Sequence, residues 1–154
     1  MSEAPITFPN PIEALLHLPV LMVWPRKVMV LDKRGLANTL SIEKGREVLS
    51  KRPHLICNTP LVAGRLNLTQ IEAFDVLELF AFVRPAEFVV PTPKGLAEAL
   101  GLSEMEGNSP VEEAHLLKAS AQRLIENLQS PNYKYKKAVV RIAMFMARAG
   151  WIWG

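Results

Sequence analysis

The side chains of this 154-residue chain that could do chemistry are few, and most stand alone. Cys57 is the single cysteine and lies inside an apolar run, so it forms no disulfide within the chain and makes a poor nucleophile. His17, His54 and His115 share no spacing that suits a metal site or a triad, and Ser109 is better used as a helix cap. Glu104 and Glu106 place two acids one residue apart, but between Gly101 and Gly107 they fall in a loop and not on a strand edge. No Gly-x-x-x-x-Gly-Lys-Ser/Thr segment cradles a phosphate, so these residues hold no P-loop for ATP. Tyr133-Lys134-Tyr135-Lys136-Lys137 does combine rings with cations. Its lysines can neutralise phosphates and its tyrosines can stack bases, although a solvated turn after Pro131 is the preferred reading.

One further stretch, Ile56 to Leu66 (ICNTPLVAGRL), has the outline of a site. An apolar strand-like run stops at Asn58, and a helical pattern begins with Pro60 in its first turn. Asn58 serves there as a helix N-cap, and Val62 stands four residues beyond it.

The elements that would position these residues follow from local signals. Pro19–Trp24 and Lys27–Leu31 are β-rich runs joined through Pro25 and Arg26, which predicts an antiparallel hairpin with Asp32–Gly35 as the next turn. Ser41 caps a helix running to about Ser50. His54–Cys57 is expected to be a buried strand, and Ile71–Phe74 a second one. Asp75 then caps a helix over Val76–Arg84, with Glu78 in the capping-box position and Pro85 ending it. Thr92 and Pro93 start another helix that stops at Gly101. Ser109, Pro110 and Glu112 open the most regular helix, whose apolar stripe is Ala114, Leu117, Ala121, Leu124, Ile125 and Leu128. Strands first antiparallel and then alternating with helices predict an α/β fold: a mixed sheet with an initial hairpin and helices on both faces.

Apolar residues make up 49% of the chain and charged residues 21%, enough for one domain with a real core. A net charge of +3 permits a nucleic-acid partner without requiring one. No run approaches the roughly 18 apolar residues that a bilayer span needs, and Glu3 replaces the basic start of a leader, so a cytoplasmic protein with no membrane partner is expected. The segment AVVRIAMFMARAGWIWG is apolar around most of a helix and leaves Trp151 and Trp153 exposed in a lone domain. Helices of that kind are buried on all sides, and the chain reads as part of a longer one.

In this order, four strings resemble the DnaQ-like (DEDD) 3′–5′ exonucleases of the RNase H-like fold. They are Cys57 to Val62; Asp75 to Phe80; Gly95 to Leu102; and Asn108 to Glu113. The resemblance spans roughly residues 19–128. Phe74 to Pro85 together with Val90 to Ala97 is more specifically similar to the degenerate exonuclease-like region at the N-terminus of bacterial DinG-like ATP-dependent DNA helicases. The implied organisation is a lead-in over 1–18, an exonuclease-like domain over 19–130, and a basic linker with a helix over 131–154 leading toward a helicase motor.

The resemblance also implies what is missing. Such nucleases hold two divalent metals about 4 Å apart with four carboxylates. The expected Asp-x-Glu of the first strand has no counterpart in PVLMVW, the second-motif Asp falls on Val62, and the His of the third falls on Asn108. Asn58, Val62, Asn108 and Glu113 are thus vestigial positions, with Glu113 the one remaining acid. Asn58 and Glu113 both have ordinary structural uses, as an N-cap and as an acid in a helix's first turn.

The expectation is therefore a catalytically inactive accessory domain of a DinG-like helicase, which docks on the motor of the same polypeptide or presents DNA to it. It needs no cofactor and no small-molecule substrate, since ATP and Mg belong to the helicase region expected beyond Gly154. The alternative is a stand-alone nucleic-acid-binding module using Tyr133 to Lys137. A metal-dependent nuclease with unrelated residues ranks last.

Overall fold

The structure is a computed structural model describing residues 10–102 and 107–153. Its first strands, β1 (Val20–Val23) and β2 (Val28–Leu31), pair antiparallel with Met22 opposite Met29, as the hairpin pattern predicts. The following turn is built by Asp32, whose carboxylate accepts from the amides of Arg34 at 2.8 Å and Leu36 at 2.9 Å. Those donors hold the Asp32 carboxyl below its ordinary range. Gly35 completes the turn at φ +83°, a conformation that side chains bearing a Cβ resist.

A third strand, β3 (Ala37–Leu40), pairs antiparallel with β2, and the sequence reading missed it. Its first three residues are exposed, so this edge strand carries no apolar alternation to reveal it. Two short strands, β4 (Leu55–Ile56) and β5 (Phe74–Asp75), add in parallel and give the order β3-β2-β1-β4-β5. The expected strand at Ile71–Phe74 is thereby corrected. Pairing is confined to Phe74 and Asp75 because β4 offers only Leu55 and Ile56 as partners.

The helices are α1 (Pro11–Leu16), α2 (Ile42–Lys51), α3 (Thr59–Leu66), α4 (Val76–Val83), α5 (Pro93–Ala99), α6 (Pro110–Gln129) and α7 (Lys136–Arg148). Strand alternation divides the interior in two. Val20 and Met22 of β1 face a core with Leu15 of α1, Phe80 of α4, Leu96 of α5 and Leu117 of α6. Leu21 and Val23 face the other side, against Leu49 of α2 and Val62 and Leu66 of α3. Helices thus cover both faces. On the second face α2 lies so close that a methyl group at Gly45 would stand 2.5 Å from Val28 Cγ2. Before the sheet, α1 contributes Leu15 to the first core.

Caps account for most helix starts. Asn58, Thr92 and Ser109 accept from Leu61, Gly95 and Glu112 amides, and Glu112 returns the bond to Ser109 in a full capping box. Asp75 accepts from the Leu77 amide, but Glu78 completes no box and instead accepts from Trp151 Nε1 at 3.4 Å. One expectation about the last segment also needs correction, the exposure of Trp151 and Trp153. None of the residues of α7 is buried, and the tryptophans beyond it fold back: Trp153 packs edge-on against Phe74 and donates to the Asp75 carbonyl at 3.0 Å. Among the described residues no helix is long and apolar enough to cross a membrane.

Candidate functional site

At the ends of β1 and β4, the first turns of α3 and α6 and the loop before α5 enclose a cleft of about 210 Å³. Met22, Val23 and Trp24 supply one wall, Cys57 and Val62 the floor, and Glu113 the α6 side. The structure therefore brings two of the four positions singled out by the resemblance, Val62 and Glu113, into one cavity. Among the described residues Glu113 is its only lining carboxylate. Cys57 is 9% exposed, and its thiol is pushed up to about 12, first by burial and then by the charges of Asp75 and Glu113. It stays protonated at neutral pH and is no nucleophile.

The positive charge in this cleft belongs to Arg65. One turn beyond Val62 on α3, it projects into the same space and donates Nη1 to the Val23 carbonyl at 2.6 Å. A guanidinium thus occupies the end of β1 where a cluster of acids would be needed to gather cations. The sequence reading passed over Arg65, although its i+3 spacing from Val62 puts both on one helix face.

Beside the cleft, Asp75 does far more than cap α4. At 3% exposure its carboxylate accepts from the amides of Asn58 at 3.1 Å, Thr59 at 2.7 Å and Leu77 at 2.9 Å, and from the Thr59 hydroxyl at 2.7 Å. Four donors fill the carboxylate and leave it little capacity for an added ligand. The same bonds lock Asn58 at φ +69° as the joint between β4 and α3. Asn58 is consequently an N-cap in a fixed backbone, as its position in the sequence suggests.

Other candidates lie apart. Asn108 is exposed and donates its amide to Glu112 Oε2 at 2.7 Å, outside the cleft. Tyr133 donates its hydroxyl to the Val83 carbonyl at 2.6 Å and packs against the first core, which takes it out of an open stacking surface. Tyr135 remains 39% exposed, with Lys134 Nζ 5.3 Å from its ring, and Lys136 and Lys137 open α7. Glu104 and Glu106 lie outside the described residues. Among the described residues no three His, Cys, Asp or Glu side chains gather as a metal-binding group.

No family model matches this chain, and no curated protein or solved structure is similar enough to it to count as a match. Its function has to be argued from its own geometry.

Proposed function

We propose that this chain is a catalytically inactive exonuclease-like domain of the RNase H-like, DnaQ-like type, serving a cytoplasmic DinG-like DNA helicase as an accessory domain. The strand order β3-β2-β1-β4-β5, antiparallel through β1 and parallel beyond it, supports the fold assignment. The observation that carries the loss of activity is the lining of the cleft at the strand ends. Met22, Val23 and Trp24 line it without an acid, Val62 stands where the resemblance puts the second-motif Asp, Glu113 is the one lining carboxylate among the described residues, and Arg65 adds a fixed cation. One carboxylate, one guanidinium and a protonated thiol do not fit a pair of divalent metals, which need several hard anionic oxygens. No hydrolytic step is assigned to these residues.

The docking role rests on α7. Val140, Ile142, Met144 and Phe145 are between 48% and 76% exposed, an apolar surface suited to a protein neighbour such as the helicase motor. A second reading, nucleic-acid binding by this end of the chain, is favoured by its charge. Residues 130–154 carry five Lys and Arg and no acid, so with the whole chain at +3 the remainder is at −2.

The test is incubation with a 5′-labelled single-stranded oligonucleotide in Mg²⁺ or Mn²⁺. The oligonucleotide is expected to persist at full length. A ladder of shortened products that Glu113→Gln abolishes would overturn the proposal.

A further inference from the structure

A second concavity lies away from the cleft, where the last turns of α2 face the loop between α3 and β5. It is a groove of about 410 Å³, within the range of small-molecule sites. Its floor is apolar, made by the buried Leu49 with the half-buried Leu68 and Ile71. Three cations line it, Arg46, Lys51 and Arg52, and Gln70 adds an amide.

The charges in this groove are not balanced internally. Lys51 pairs with Glu47 at 2.9 Å, but Glu47 also holds Lys44 at 3.1 Å. Arg46 and Arg52 make no side-chain hydrogen bond or ion pair among the described residues, and Glu72 is the one acid in the lining. Asp32 feels the charge of Arg52 without contacting it. The C-terminal dipole of α2 rewards Lys51 in its last turn. It does not explain Arg46, more than a turn before the end, or Arg52, whose φ of −159° leaves the helix in an extended direction.

An apolar floor beneath unpaired guanidinium groups matches a ligand with a flat ring at one end and a phosphate at the other. Guanidinium forks meet phosphate oxygens in pairs, the amide of Gln70 reads a base edge, and the ring covers Leu49, Leu68 and Ile71. We infer that the groove between α2 and the 68–72 loop binds a phosphorylated nucleoside, either as one unit of single-stranded nucleic acid or as a free nucleotide, through Arg46 and Arg52. This surface is distinct from Tyr133 to Lys137 and independent of the helicase reading.

The experiment is a fluorescence-anisotropy titration of a 5′-fluorescein dT20 strand with the full chain, repeated with AMP as competitor. The double variant Arg46→Glu, Arg52→Glu is expected to weaken binding of the strand about tenfold or more and to lower its salt slope by about 1 to 2. The triple variant Lys134→Glu, Lys136→Glu, Lys137→Glu is expected to keep most of the affinity. Displacement by millimolar AMP would assign the groove to free nucleotides as well, and absence of displacement to strands alone. If the double variant does not fold by circular dichroism, Arg46→Ala and Arg52→Ala singly take its place, each with a smaller loss. Unchanged binding in the folded double variant, loss confined to the lysine variant, or no binding of either dT20 or AMP by the wild-type chain overturns the inference. Degradation of the strand would count against the inactive-nuclease proposal and leave this one standing.

Discussion

The two longest helices among the described residues, α6 with 20 residues and α7 with 13, differ in almost everything except being helical. α6 begins with a complete capping box and Pro110 in its first turn, carries two acids there, and buries Ala114, Leu116, Leu117, Ser120, Ala121 and Leu124. α7 begins at Tyr135 without a side-chain cap, has no acid in its first turn, and buries none of its residues. Tethers flank it: the Tyr133 hydroxyl bound to Val83 on one side and Trp153 bound to Asp75 on the other. An apolar pattern can make a helix in either case. Only a matching surface decides whether the pattern becomes a core.

Mutations can break that contrast, beginning with the largest effect. Leu117→Ala in α6 removes a fully buried side chain and is expected to cost about 2–5 kcal/mol, measured by urea denaturation. Trp153→Ala is expected to cost about 1–2 kcal/mol, since the ring is only half-buried, and to speed amide exchange throughout α7 while leaving α6 protected. Ser109→Ala takes away the cap of α6 and is expected to cost about 1 kcal/mol. Ser120→Ala should be neutral or stabilising by up to about 1 kcal/mol, because the buried Ser120 hydroxyl has no partner among the described residues. Phe145→Ser on α7 should move stability by less than about 0.5 kcal/mol, its ring being 76% exposed. A loss from Phe145→Ser as large as that from Leu117→Ala would erase the distinction between the helices.

Much of this arrangement was legible in residue order. Helix starts are written in short-range chemistry, so Asn58, Thr92 and Ser109 all cap where expected. The antiparallel hairpin and the coverage of both sheet faces were likewise visible in periodicity. What escaped depends on distant partners. β3 is held by backbone pairing with β2, and β5 extends only as far as β4 supports it. Glu78 looked like half of a capping box because nothing nearby announces that Trp151, 73 residues on, will take its carboxylate. That Val62 and Glu113 line one cleft shows only in the fold, and the role of Arg65 needed the Val23 carbonyl, 42 residues away, to become visible.

Arg65 also decides what a new acid in the cleft would meet. An aspartate introduced at Val62, one helical turn before it, would meet a guanidinium first, and the immediate product would be an ion pair instead of a metal ligand. Removing Arg65 instead strips a hydrogen bond from the end of β1 and leaves Glu113 as the one carboxylate lining the cleft among the described residues. Substitution at either residue alone thus leaves the cleft without the several anionic oxygens that a divalent metal requires.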